Sequence, residues 1–313
     1  MTTATEPDTR TDTDPGIGRD PSVVDLVRQK AIRTAAGASQ VPARLVEPPA
    51  ALRPWISDVG VTEHDPDGPR SVTHAPDAAV RVVLRTLPGG GSEVLAVGPR
   101  TRASYNSGSW LPRCLDLRVL PGAARQLLGV SARELVGRVV SLAELPGGAA
   151  GRIARDLARI GDDAPVDEAL SVLAELLPPA FTPRDPLDRS RAALVGAAID
   201  ALSTRPGRPR PASVPDVARE LAVSERQLRN LFTDDVGLSP KHFARIDRAR
   251  QLLATAAAEP AAAVPWAGLA QATGYYDQSH MTAEFRALFG VAPKAFVTGR
   301  LPASSPCPSR AGR

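Results

Sequence analysis

Only two cysteines, Cys114 and Cys307, occur in 313 residues. Two thiols that far apart exclude a disulfide framework and a cysteine-rich zinc site, and they suit a reducing compartment. Lysine is nearly missing: it stands at 30, 241 and 294 alone, and 35 of the 38 basic side chains are arginine. Read together with the many alanines, this is compositional bias of the genome rather than chemistry. No apolar run reaches the roughly 18 residues that a membrane-spanning helix needs. The opening MTTATEPDTRTDTDPGIGRDP lacks the basic start and apolar centre of a secretory leader, so a cytoplasmic location is expected. The four histidines, His64, His74, His242 and His280, form no His-x-His pair. No GxSxG, P-loop or GxGxxG stands in a convincing context, and PGGGSE is a turn with no Lys-Ser/Thr after it. Neither an enzyme, a metal site nor a cofactor is expected.

Charge is unevenly placed. Residues 205–300 carry 13 Lys+Arg against 9 Asp+Glu, while the other 217 residues carry 25 of each. The whole excess of +4 therefore lies in the last third, which suggests a polyanionic partner. Four regions follow from composition and periodicity. Residues 1–43 are polar and rich in Asp, Thr, Pro and Gly, and are expected to be a disordered tail, with PSVVDLVRQKAIRTAA as a short amphipathic helix within it. Residues 44–180 read as a β-rich unit with trailing helices. AVRVVLRTL and SEVLAVGP flank a glycine-rich turn as a hairpin, and CLDLRVL alternates as a further strand. Ser131-Ala-Arg-Glu134 is a capping box that starts a helix, and helical patterns follow at about 150–160 and 165–177. PPAFTPRDP (178–186) marks a boundary. From 187 to 300 strand signals vanish and seven helical patterns follow. Residues 301–313 read as a second disordered tail.

One sentence is written twice in the helical part. SERQLRNLFTDDVGLSPKHF, from Ser224, matches DQSHMTAEFRALFGVAPKAF, from Asp277, fifty-three positions on. The pairs are Ser224/Asp277, Leu228/Met281, Phe232/Phe285, Gly237/Gly290, Pro240/Pro293, Lys241/Lys294 and Phe243/Phe296. Upstream, Val217-Ala218 matches Leu269-Ala270 and Ala222 matches Gly274 at an offset of 52, so the second turn holds one extra residue, Tyr275 or Tyr276. Each copy predicts a helix, a tight turn, a second helix, and a Gly-x-x-Pro opening a third. Ser224 and Asp277 suit N-caps, the glycines suit left-handed helix ends, and the prolines suit first helical positions. At about 100° per residue, Leu228, Leu231 and Phe232 share one face, and Arg226, Arg229, Asn230 and Thr233 the other. In the second copy Met281, Phe285 and Leu288 form the stripe. Ser279, Thr282, Ala283 and Arg286 face away from it, with Gln278 and His280 on the flanks. An ordinary amphipathic helix would explain one such pattern; the repeat of the whole unit points to a pair of helix-turn-helix readers.

VARELAVSERQLRNLFTDDVGLSPKHFARIDRARQLL and GLAQATGYYDQSHMTAEFRALFGVAPKAF resemble the two halves of an AraC/XylS-type DNA-binding domain, over about residues 187–300. The resemblance implies an all-α, seven-helix domain. Its two motifs, joined by a long helix at about 239–256, enter successive major grooves roughly one turn (~34 Å) apart. It implies base contacts for Arg226, Arg229 and Asn230, with Glu225 and Gln227 at the edges, although either arginine could equally anchor a phosphate and Asn230 could bond adenine or a phosphate. In the second motif it implies Gln278, Ser279, His280, Thr282 and Ala283, with Arg286 and Lys294 on phosphate; His280 reads equally well as an ordinary exposed, uncharged helix residue. LRVLPGAARQLLGVSARELVGRVVSLAEL, PPAALRPWISDVGV and HAPDAAVRVVL resemble the N-terminal domain often fused to such regulators in actinobacteria. That implies an α+β chain whose N-terminal cupin-like domain senses or dimerises. Trp110, Tyr105 and Arg118 are candidates for a pocket there, against a packing role for each, and Cys114 is expected to be a buried apolar residue. The expected function is sequence-specific transcription regulation, by family habit activation. Double-stranded DNA and RNA polymerase are the expected partners, with a small-molecule effector and a second copy of the chain as further candidates. The alternative is an N-terminal domain that only dimerises or binds a protein.

Overall fold

The structure, a computed structural model, describes residues 43–63, 71–87, 90–107, 113–146, 148–157, 166–180, 186–205 and 211–306. The α+β class and the division into a β domain with trailing helices and an all-helical part hold. The short amphipathic helix expected near residue 30, Trp110, His64 and Cys307 lie outside the described residues.

Among the described residues the N-terminal part contributes to two sheets. Strands β1 (Ala43–Val46), β2 (Ile56–Glu63), β4 (Arg81–Thr86), β5 (Ser92–Val97), β7 (Arg113–Val119) and β8 (Val139–Ser141) form one antiparallel sheet in the order β1-β2-β7-β4-β5-β8. The alternation of β4 and β7 sets its two faces. Val82 pairs with Leu117 and Leu84 with Leu115, all buried, while Arg81 pairs with Arg118 on the other side. The apolar face is covered by α1 (Ala124–Leu128), α2 (Ala132–Leu135), α3 (Gly148–Leu157) and α4 (Val166–Ala180), whose Leu128, Leu135 and Leu173 join the same core. Each fully buried leucine contributes about 1.5–3 kcal/mol. The capping box at Ser131 forms: the Ser131 N–H and hydroxyl both donate to Glu134 Oε1, at 3.0 and 2.7 Å. Cys114, expected to be buried, is only partly so, because β7 turns it toward Arg85 and Thr62 at the sheet's polar side.

A smaller sheet joins β3 (Ser71–His74), β6 (Ser104–Ser107) and β9 (Ser305–Pro306). Part of the tail expected to be disordered thus returns to the N-terminal part, where Ser305 and Pro306 pair in parallel with Asn106 and Ser107.

Among the described residues, seven helices build the C-terminal part: α5 (Pro186–Leu202), α6 (Val214–Glu220), α7 (Glu225–Val236), α8 (Pro240–Ala256), α9 (Trp266–Ala272), α10 (Gln278–Phe289) and α11 (Pro293–Val297). They enclose two apolar clusters. Val217, Leu228, Phe232 and Phe243 belong to the first, and Leu269, Met281, Phe285 and Phe296 to the second. The long helix α8 serves both, giving Phe243 to one and Ile246, Leu252 and Leu253 to the other. No helix among the described residues is long and apolar enough to cross a membrane.

Candidate nucleic-acid interface

Both motifs are built by the local chemistry that the repeat predicts. Ser224 accepts the Gln227 N–H at 3.1 Å and starts α7; Asp277 accepts the His280 N–H at 2.7 Å and starts α10. Gly237 (φ 81°) and Gly290 (φ 74°) end these helices in the left-handed region. Ser239 caps α8 through the His242 N–H, whereas its counterpart Ala292 caps nothing, a difference worth about 1 kcal/mol. The turns match bond for bond: Val223 N–H donates to Ala218 O at 3.0 Å, and Tyr275 N–H to Ala270 O at 2.9 Å. Ala222 (φ 54°) takes the left-handed place that Gly274 (φ 80°) takes in the second turn. Tyr275 is therefore the counterpart of Val223, and Tyr276 is the inserted residue. It stands 88% exposed just ahead of the α10 cap, while Tyr275 is buried.

The anchoring stripes and the outward faces separate as expected. Leu228, Phe232, Met281 and Phe285 are each at most 1% exposed. Leu231, placed on the first stripe, is half-buried. Arg226, Gln227, Arg229 and Asn230 on α7 are exposed, as are Gln278, Ser279, His280, Ala283 and Arg286 on α10 and Lys294 on α11; Thr282 is half-buried. Arg229 pairs with Glu225 one turn back. An exposed i,i+4 pair contributes only about 0.3–0.5 kcal/mol, so Arg229 is readily released to another anion. Arg226 has no ion-pair partner among the described residues. His280 stands edge-on to Tyr275, with ring centroids 5.5 Å apart. Its Nδ1 accepts the Tyr276 N–H at 3.5 Å, which leaves Nε2 for an outside partner.

Between the motifs lies an open concavity of about 900 Å³, which contains groups the sequence reading passed over. Lys241, Arg245 and Arg248 of α8 line it from one side, and His280, Ala283 and Glu284 of α10 from the other. Arg245 Nε donates to Glu284 Oε2 at 3.0 Å, and the Arg248 guanidinium sits 5.1 Å from the Tyr275 ring centroid. The repeat aligned Lys241 with Lys294, a signal that pointed to it. Arg245 and Arg248 sit among core-forming positions of α8, and nothing local marks them. The concavity takes in His280 and Ala283 but not Arg226, Arg229 or Asn230, which stand on the separate outward face of α7.

His242, one turn into α8, has its imidazole pKa lowered by burial and by the Arg245 charge, with Arg102 adding; the Thr101 backbone and Glu284 oppose. A group whose pKa is lowered by folding takes up its proton more readily in the unfolded chain. Stability therefore falls as pH drops below the ordinary imidazole value of about 6.5. Melting temperatures at pH 7.5 and 5.5 should show a larger acid-induced drop for the native chain than for His242→Gln. Equal drops would remove His242 from this account.

A family model for a helix-turn-helix domain matches residues 217–299, spanning both motifs. The chain is similar to an AraC-type transcriptional regulator from Chromobacterium violaceum (24% identity over 38% of this chain and 100% of that one, TM-score 0.28). It is also similar to the C-terminal domain of AraT, a response regulator from Geobacillus stearothermophilus (18% identity, 42% and 98% of the two chains, TM-score 0.27). A third similarity is to ToxT from Vibrio cholerae with an unsaturated fatty acid bound (11% identity, 79% and 96%, TM-score 0.38). No curated protein matches at a significant level. Two complete motifs with matching caps, turns and stripes, and a family match across both, identify the C-terminal third of this chain as a DNA-binding domain of the AraC type.

Proposed function

We propose that the chain is a sequence-specific transcription regulator whose helices α7 and α10 enter successive major grooves of one duplex. The observation that carries this is the pair of identically built helices, each with a buried apolar stripe and an exposed polar face. Arg226, Gln227, Arg229 and Asn230 read the first groove. The planar guanidinium of Arg226 suits O6 and N7 of guanine, and Asn230 suits N6 and N7 of adenine. Gln278, Ser279, His280 and Thr282 read the second. Ser279 and Ala283 are too short for bidentate contacts, so that groove is read through single hydrogen bonds and thymine methyls. Arg286 and Lys294 hold phosphates, together with the amides at the starts of α8 and α10. Lys241 joins them from the concavity. Activation through RNA polymerase is the regulatory direction that the family resemblance supports.

Control by a small molecule is supported by a cavity of about 430 Å³ between the two parts of the chain. Val80, Val119 and Leu120 line it from the sheet domain, and Ile199, Phe243 and Ile246 from α5 and α8. Its charged lining is internally matched: Arg118 bonds Asp77, Arg205 bonds Asp200, and the Asp235 carboxylate holds Arg191. Such a wall favours a neutral ligand with an apolar body. A purely dimerising N-terminal domain would instead give DNA affinity that rises with protein concentration and answers to no metabolite.

Arg226→Ala tests the reading face. With duplexes selected by the protein from a random pool, the variant should lose about 10–100-fold on the selected duplex and far less on random DNA. Equal losses on both would make Arg226 a phosphate contact.

A further inference from the structure

The N-terminal domain touches the far ends of both reading helices: the short segment Gly98–Tyr105 meets both, and α2 packs beside it against the first. The segment's root is pinned. Gly98 N–H donates to Arg138 O at 3.0 Å, and Pro99 O accepts the Gly137 N–H at 2.8 Å. A Cβ on Gly98 would lie 1.7 Å from Leu135 O, so no other residue allows this approach. Pro99 then meets the end of the first reader. A Cβ on Gly237, which ends α7, would stand 3.0 Å from Pro99 Cγ and 2.8 Å from Ala132 O. The helix end is thus seated against the strap and α2. Further on, Ala103 N–H donates to Leu288 O at 2.8 Å, and the Tyr105 hydroxyl to Phe289 O at 2.6 Å. These are last-turn carbonyls of α10, which no intrahelical N–H can reach. Burial pushes the Tyr105 phenol up to about 12, so it keeps its proton and remains a donor.

Between these contacts the strap is clamped to the sheet and to the helix shared by both motifs. Arg100 exchanges two main-chain hydrogen bonds with Asp77, at 2.9 and 2.7 Å. The Asp77 carboxylate holds Arg81 and Arg118 of the sheet and lies 3.8 Å from Arg250 of α8. Arg250 also donates to Pro76 O at 3.1 Å. Pro99 and Ala103 are four residues apart, so at most about 14 Å of chain separates the two helix ends they engage. The motifs have separate cores joined along α8, which leaves their mutual angle open to an outside constraint.

We propose that Gly98–Tyr105 is a strap that sets the angle between α7 and α10, so that the N-terminal domain, through the positioning residues Asp77 and Tyr105, determines which spacing of the two half-sites the chain accepts. The inference rests on the two-groove reading proposed above. Neither residue touches DNA in this arrangement; each acts through the end of a reading helix or through α8.

The test uses the full chain and duplexes selected by it from a random pool, with one or two base pairs then inserted or removed between the half-sites. The native chain should lose roughly 30-fold per inserted base pair, on the order of one mismatched base pair. Tyr105→Phe, which removes a single hydrogen bond, should bind the best duplex within a few-fold of the native chain. Its penalty per inserted base pair should drop to roughly 3-fold. Asp77→Asn should flatten the spacing profile further. Ala103→Gly, which keeps the N–H to Leu288, should retain the native profile. A merely structural role would lower the melting temperature without changing the spacing profile. An unchanged profile in a folded Tyr105→Phe chain overturns the strap. Failure of the native chain to select any duplex defeats the two-groove reading itself and is a separate result.

Discussion

Asp77→Ala should lower the unfolding free energy by about 3–5 kcal/mol, the loss expected when one partner of a buried ionic cluster is removed. The side chain of Asp77 is only 4% exposed and faces Arg81, Arg118 and Arg250. Burial alone pushes the carboxyl pKa up. The Arg118, Arg81 and Arg250 charges override it and hold the group well below the usual carboxylate range. Arg81 has a second carboxylate in Asp116, but its Nε is buried with no hydrogen-bond partner. Without Asp77, charge designed around one carboxylate is left in a place that water reaches poorly. The sign of the pH dependence follows. A carboxyl whose pKa is lowered by folding stabilises the native state at neutral pH, and that stability is lost as pH falls from about 4 through its folded value. Urea melts at pH 7 and pH 3 check both points. The native chain should be weakened strongly at the lower pH and the variant much less, because the variant has already lost this component. A loss below about 1 kcal/mol at pH 7 would show that the three arginines are satisfied elsewhere.

The part of the molecule legible in sequence is the part whose causes are local. Ser224, Asp277, Gly237 and Gly290 act on backbone groups within four residues of themselves, and each does what its type dictates. Strands β4 and β7 alternate because one side faces a core, and that alternation is visible as a period of two. Strand β2 was obscured for the opposite reason. Asp58 through Val61 are buried in succession, so no alternation appears, and Gly60 and Asp58 are poor strand formers. Strands β1, β3, β6 and β8 are three or four residues long, too short for any period to register. The extra residue of the second turn stayed ambiguous between two adjacent tyrosines until the Tyr275–Ala270 hydrogen bond assigned it to Tyr276. The contacts that join the two parts had no local signal at all. Tyr105 was expected at a pocket wall or in packing, and its hydroxyl reaches Phe289 across 184 positions of chain. Arg118 does line a cavity, but it does so while bonded to Asp77, 41 positions away.

Raising the salt concentration from 50 to 200 mM should weaken specific DNA binding about as much as the loss of Arg226 does. Five exposed cations lie on or beside the reading surfaces: Arg226, Arg229, Lys241, Arg286 and Lys294. If Lys241, Arg286 and Lys294 each neutralise one phosphate while Arg226 and Arg229 read bases, the logarithm of the binding constant falls with the logarithm of salt at a slope of about −2.7, and affinity falls roughly 40-fold between 50 and 200 mM. The two arginines on α7 differ within this set. Arg229 must give up Glu225 before it can engage DNA, whereas Arg226 gives up no ion pair. Glu225→Gln should therefore raise affinity a few-fold at low salt. Lys241→Ala and Lys294→Ala should each reduce the slope by about 1 while leaving the preference among base sequences unchanged. Arg226→Ala should do the reverse, altering base preference at one position more than it alters the slope. Titrations of the selected duplex at four salt concentrations separate these cases. A slope shallower than about −2 in the native chain would mean that no more than two of these cations meet the backbone, and two helices seated in successive grooves of one duplex could not produce so weak a response.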